Sequence, residues 1–134
     1  MPRVYTIALS EAEKQARKFA KQARGGDIYA LVGPLGSGKT TFTKAFGRAL
    51  GIRNKILSPT FIVMQVFDIP SKQPATTLYH LDLYRTKTFR EVKTLGITEW
   101  WNQPDTITII EWADKIKDHL PTRTIYLRFK RDVD

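Results

Sequence analysis

The apolar positions along this chain follow two periods. Val4 to Leu9 alternates and is rich in β-formers, which predicts an opening strand. Ala12, Ala16, Phe19, Ala20 and Ala23 recur at helical spacing, with Lys14, Arg17, Lys18 and Lys21 off that stripe. Ser10 and Glu13 have the spacing of a capping box at its start, and Gly25-Gly26 ends it. Ile28 to Val32 is a continuous apolar run, as expected of a strand buried on both faces of an α/β sheet. A second helix is predicted to run to about Leu50, with Gly51 just past its end.

Phe61 to Phe67 and Thr77 to Leu83 read as two strands joined by a polar loop that holds Pro70 and Pro74. That hairpin-like connection predicts an antiparallel part of the sheet. Thr88 and Glu91 again have capping-box spacing, opening a short helix that stops at Gly96. Thr106 to Ile110 is a further strand ending in Glu111-Trp112. A short helix over 113–119 and a strand from Thr124 to Phe129 follow. The pattern predicts one α/β domain over 1–134, with a mixed parallel and antiparallel sheet flanked by helices.

Composition narrows the class. A chain of 134 residues can bury roughly two-thirds of its unfolded surface in one core. Without cysteine there is neither a disulfide framework nor a thiolate metal site. No apolar run reaches the roughly 20 residues of a membrane span, and no signal-peptide core is seen, so a soluble cytoplasmic protein is expected. The net charge of +9 is uneven: residues 1–67 carry 11 Lys and Arg against 3 Asp and Glu, whereas 68–134 carry 11 against 10. A basic half suits nucleic acid, an anionic membrane surface or a polyphosphate, and charge alone does not choose.

The segment Gly33-Pro34-Leu35-Gly36-Ser37-Gly38-Lys39-Thr40-Thr41 makes the choice. It matches the phosphate-loop pattern G-x-x-x-x-G-K-[ST] and sits between a buried-type strand and a cleanly ended helix, the context that gives the pattern meaning. Glycines at 33, 36 and 38 let successive N–H groups turn towards phosphate oxygens, and the following helix aims its positive end at the same anion. Lys39 can reach the β- and γ-phosphates, the Thr40 hydroxyl can bind Mg²⁺, and Thr41 adds a hydroxyl near the α-phosphate. Such a site needs an acid at the C-terminal end of a strand. Asp82 and Glu111 both stand there, and both are assigned to the site, with the choice of direct ligand open.

Several relatives of this motif are excluded. Asn54-Lys55 continues with Ile56-Leu57, so the guanine-reading Asn-Lys-x-Asp is absent, and Arg85 stands where a GTPase would have glycine after its strand-end Asp. No Leu-Ser-Gly-Gly signature is present, and the length leaves little room for the lid of a nucleotide kinase. Two alternatives to an ATPase fit the same residues: a small-molecule kinase, and an RNA-binding module with a vestigial phosphate loop.

Taken in order, the phosphate loop, Ser58-Pro59-Thr60-Phe61, Tyr79-His80-Leu81-Asp82-Leu83-Tyr84-Arg85, Leu95-Gly96-Ile97 and Ile110-Glu111-Trp112 resemble the TsaE (YjeE) family. These are small P-loop ATPases of bacterial tRNA threonylcarbamoyladenosine biosynthesis, and the resemblance spans about residues 4–129. It implies ATP and Mg²⁺ as cofactors, a weak ATPase dependent on partners, and support of the TsaD–TsaB complex rather than the transfer itself. It assigns the loop residues Gly33, Leu35, Gly36, Ser37, Gly38, Lys39, Thr40 and Thr41 to ATP, with Lys39 as phosphate clamp. Thr40 with Glu111 resembles the Mg²⁺ pair, and Asp82 an acid that supports metal or attacking water. Thr60 resembles a switch-like residue near the γ-phosphate, Trp112 a tryptophan beside the nucleotide, and Ser10 a position near it.

Each residue also has a plainer reading: Trp112 as a core aromatic, Thr60 as a turn residue after Pro59, His80 as packed or hydrogen-bonded. Where relatives carry an acidic helix start after Asp-Leu-Tyr-Arg, this chain has the basic run Thr86-Lys87-Thr88-Phe89-Arg90-Glu91. One of Trp100 and Trp101 is expected at a partner contact. Lys44 and Arg48 are expected beside the triphosphate, and the basic first helix faces either solvent or tRNA.

Overall fold

The computed structural model describes residues 3–56 and 64–132. In chain order the elements are β1 (Arg3–Ala8), α1 (Ala12–Gln22), β2 (Ile28–Val32), α2 (Lys39–Ala49), β3 (Met64–Asp68), β4 (Thr77–Asp82), α3 (Phe89–Lys93), α4 (Ile97–Trp100), β5 (Thr106–Glu111) and β6 (Ile125–Lys130). The six strands form one sheet in the order β1-β6-β2-β5-β4-β3. Every neighbouring pair is parallel except β3 with β4. The expected mixed sheet is therefore present, with its antiparallel part confined to one edge.

The apolar runs went where their pattern put them. All six residues of β5 and the first four of β2 are buried, because these strands lie inside the sheet with helices on both faces. The α1 stripe of Ala12, Ala16, Phe19 and Ala20 is buried, while its lysines and Arg17 are exposed. On that face α1 and α2 pack over Tyr29, Leu78, Ile107 and Ile109, with Phe42 and Phe46 fully buried. Each such aromatic contributes roughly 1.5–3 kcal/mol by leaving water. The opposite face packs Ile28, Ala30, Leu81 and Ile110 under α3, α4 and a 3₁₀ helix over Ala113–His119. At the end of α2 the Gly51 N–H reaches Arg48 O and the Ile52 N–H reaches Gly47 O, a Schellman stop with Gly51 at φ 86°.

Local expectations changed at four places. Leu9 leaves β1 for a 3₁₀ turn over Leu9–Glu11, so α1 begins at Ala12 and no side chain caps it. The Ser10 hydroxyl instead donates to Asp132 Oδ1 at 3.1 Å, and its N–H reaches both oxygens of that carboxylate. A charged acceptor brought in from the far end of the chain displaces the local cap. At the second box Thr88 does cap, accepting from the Glu91 N–H at 3.4 Å, but Glu91 accepts from Lys87 N–H.

The predicted 113–119 helix is 3₁₀ and kinked at Ile116. Finally, Trp101 is buried and Trp100 stacks on Tyr79 with centroids 4.7 Å apart, so both rings are packed against the chain itself. The described part of the strand expected over 61–67 starts at Met64, and Thr60 with Ser58-Pro59 lies outside the described residues.

Candidate functional site

β2 delivers the chain into the glycine-rich loop, and α2 starts directly after it at Lys39. Gly33 has φ 151°, and a Cβ there would lie 2.6 Å from the Phe129 carbonyl oxygen. Gly38 has φ 108°, with Leu9 and Ala12 packed close to where a side chain would stand. Both positions therefore require glycine. Gly38 occupies the N-cap of α2, and no side chain caps that end. The amide groups of its first turn are thus left pointing out of the helix.

Lys39 is buried and folds back over the loop. Its ammonium donates to the carbonyls of Gly33 at 2.6 Å and Pro34 at 2.8 Å and lies 4.1 Å from the centre of the Trp112 ring. Burial holds its pKa below the usual lysine value, against the opposing pull of Glu111 and Asp82. The Ser37 hydroxyl is fully buried and has no hydrogen-bond partner among the described residues. Leu35, at the loop tip, is exposed, and its carbonyl accepts from the Arg131 guanidinium at 2.7 Å.

The two strand-end acids stand side by side. Asp82 of β4 is the register partner of Glu111 of β5. They share the sheet face on which α2 packs, since Ile107 and Ile109, four and two residues before Glu111, belong to that core. The Thr40 hydroxyl donates to Glu111 Oε1 at 3.0 Å, joining the head of α2 to the end of β5. The second oxygen of Glu111 lies 2.6 Å from His80 Nε2. Asp82 accepts from the Tyr84 N–H at 2.9 Å. Burial raises its pKa; the Tyr84 bond opposes this, and the Glu111 charge adds to it.

Trp112 follows Glu111 at φ 59° and is half-buried, with its ring 5.1 Å from that of Tyr84. Left-handed backbone at a tryptophan costs about 1–3 kcal/mol, and it delivers the ring to Lys39. A cleft of about 530 Å³ lies beside the loop, lined by Val32, Gly33, Pro34, Trp112, Asp114, Arg128 and Phe129.

The structure thus gathers Gly33, Ser37, Gly38, Lys39, Thr40, Asp82, Glu111 and Trp112. Thr41 is exposed on the first turn of α2, and Gly36 is exposed in the loop. Ser10 flanks the loop through its neighbour Leu9, which packs against Gly38, and through Asp132, which follows Arg131. Lys44 and Arg48 do not join. They line a separate basic cleft with Arg53, Asn54 and Lys55 at the far end of α2, because about one and a half and two and a half turns separate them from Lys39. Sequence reasoning missed Arg131, Asp132 and Gln65, whose roles depend on strand register and on chain ends meeting.

The model of the family "Threonylcarbamoyl adenosine biosynthesis protein TsaE" matches residues 7–134. The chain belongs to the TsaE family. Its place is therefore in tRNA threonylcarbamoyladenosine biosynthesis. It is 35% identical over 129 residues to the TsaE protein of Bacillus subtilis strain 168, covering 96% of this chain and 77% of that one. It is 38% identical over 128 residues to the TsaE protein of Rickettsia bellii, covering 93% and 85%. The crystal structure of Bacillus subtilis YdiB is similar with a TM-score of 0.67 at 31% identity, over 91% of this chain and 72% of that one. Among the described residues no helix is long and apolar enough to cross a membrane.

Proposed function

We propose that this TsaE-family chain binds ATP with Mg²⁺ on the loop over 33–40 and hydrolyses it in the cytoplasm, in support of threonylcarbamoyl transfer to adenosine 37 of tRNA by the TsaD–TsaB complex. The observation that carries the reading is the Thr40–Glu111 hydrogen bond beside Lys39, which sets a hydroxyl, a carboxylate and a cation around the uncapped start of α2. Uncapped helical amides and a buried, unpartnered Ser37 hydroxyl suit phosphate oxygens.

The donor set also fits the metal. Thr40, Glu111 and Asp82 offer oxygens alone, and no cluster of three or more His, Cys, Asp or Glu able to hold a metal exists among the described residues. A small all-oxygen set suits Mg²⁺, which keeps waters and phosphates as its remaining ligands. When bound, the metal would neutralise charge on the triphosphate.

The chain's own residues do the rest. Lys39 exchanges its Gly33 and Pro34 carbonyls for phosphate oxygens and offsets charge on the transferring phosphoryl group. Asp82, whose burial strengthens its hold on a proton, orients and accepts from the attacking water at the end of β4. Trp112 stacks beside the nucleotide and covers Lys39. Thr60 and Ser10 complete the site on the strength of the family resemblance.

The test is the ATPase rate of wild type, Lys39→Ala and Glu111→Ala, each with and without TsaD–TsaB. Wild type should turn over slowly at a rate that the complex alters, and both variants should fall near background. A complex that neither binds the chain nor changes its rate would refute it.

A further inference from the structure

Four side chains form a continuous hydrogen-bonded line across the sheet, buried at its centre and half-buried at its ends: Gln65 of β3, His80 of β4, Glu111 of β5 and Thr40 of α2. His80 is 1% exposed and bridges its neighbours, with Nδ1 3.3 Å from Gln65 Oε1 and Nε2 2.6 Å from Glu111 Oε2. Glu111, also 1% exposed, receives Thr40 on its other oxygen. Gln65 and His80 are direct register partners, and His80 stands one step diagonally from Glu111. Apart from Asp82, the neighbouring positions on this sheet face are apolar: Leu78 precedes His80, and Ile107 and Ile109 precede Glu111. An isoleucine at position 80 would pack there without any polar partner. A histidine in that place is retained at a desolvation cost that only its two hydrogen bonds offset.

We propose that His80, braced by Gln65, is a positioning residue that fixes Glu111 as a metal ligand. A carboxylate only accepts hydrogen bonds, so the Nε2–H donates to Oε2, and Nδ1 of the neutral ring accepts from the Gln65 amide with its NH2 end turned towards it. That bond pins one oxygen and turns the other towards Thr40. His80 therefore selects the rotamer in which Glu111 and the Thr40 hydroxyl converge. Gln65 holds the opposite ring nitrogen and so sets the orientation of the imidazole. Partners of this kind, one bond removed from a metal, commonly change metal affinity by about 10- to 100-fold when lost.

The proposal rests on the reading of Glu111 as a Mg²⁺ ligand, and the experiment separates the two. ATP binding to the full chain is followed by calorimetry across a Mg²⁺ titration, beside a melting curve, for wild type, His80→Phe, His80→Gln and Gln65→Leu. His80→Phe fills the space without the donor, and His80→Gln places an amide N–H where Nε2 stood. We expect the half-saturating Mg²⁺ concentration to rise about tenfold or more in His80→Phe, less in Gln65→Leu, and to return towards wild type in His80→Gln, with metal-free ATP affinity unchanged in all.

If His80→Phe does not fold, a raised half-saturating Mg²⁺ concentration in Gln65→Leu beside a near-wild-type value in His80→Gln supports the role, and no shift in Gln65→Leu overturns it. A lower melting temperature with an unshifted Mg²⁺ dependence, or equal shifts in Phe and Gln, would overturn the positioning role. A wild type whose ATP affinity ignores Mg²⁺ would remove the metal reading itself.

Discussion

The Thr40 hydroxyl and the Glu111 carboxylate meet at 3.0 Å although they come from different elements far apart in the chain. Their contact closes the space between the head of α2 and the end of β5, where the loop, Lys39 and both acids converge. Thr40→Ser keeps the hydroxyl and should retain Mg²⁺-dependent ATP turnover within about twofold. Thr40→Ala should lose it by about tenfold or more, on the scale of losing an ordered metal ligand. Equal rates in Ser and Ala would show that the hydroxyl plays no part.

Trp112 reports on the site because its ring lies 4.1 Å from the Lys39 ammonium. Adding ATP should change tryptophan emission in wild type and in Trp100→Phe, whose ring stacks on Tyr79 instead. The change should vanish in Trp112→Phe. A signal that survives in that variant would detach Trp112 from the nucleotide.

Much of this site was readable from residues alone. The strand–loop–helix order, the acids at strand ends and the buried character of β2 and β5 all follow from local patterns that the sheet later satisfied. What stayed illegible depends on register and on distant chain ends. Ser10 has the spacing of a cap, yet Asp132 takes its hydroxyl once β1 and β6 pair. β1 alternates like a half-buried strand, but its place at the sheet edge leaves Val4 and Tyr5 exposed. His80 reads as packed or hydrogen-bonded, and only the β4–β5 alignment names Glu111 as its partner. Lys44 and Arg48 share a helix with Lys39, yet the length of α2 carries them away from the loop.

Alkaline stability should depend on Tyr29. Its hydroxyl donates to Asp27 at 2.9 Å, and burial first, then the Asp27 charge and that bond, push its pKa far above the ordinary 10.0. The folded state therefore keeps the proton after the unfolded chain has lost it, so this contribution is intact below pH 10.0 and falls as pH rises above it. The slope is about 1.4 kcal/mol per pH unit. Tyr29→Phe should cost about 1 kcal/mol at neutral pH and lose that slope. Denaturant melts of both proteins from neutral pH upwards check this, and parallel pH profiles would contradict it.

Gly25 fixes the turn between α1 and β2. A Cβ there would lie 2.0 Å from the Pro104 carbonyl oxygen, a backbone atom that cannot rotate aside. Gly25→Ala should destabilise the fold by on the order of 3 kcal/mol, whereas Gly26→Ala meets no atom and strains only its φ of 93°. Unfolding midpoints of the two variants check the ordering.

Binding of ATP with Mg²⁺ through the loop and Lys39 is checked by calorimetric titration of ATP into wild type and Lys39→Ala, with Mg²⁺ and with a chelator. Wild type should show one site per chain, tighter with Mg²⁺, and Lys39→Ala an affinity lower by about tenfold or more, as expected from losing a buried charge-assisted contact. Wild type without binding heat, or Lys39→Ala binding as wild type does, would contradict it.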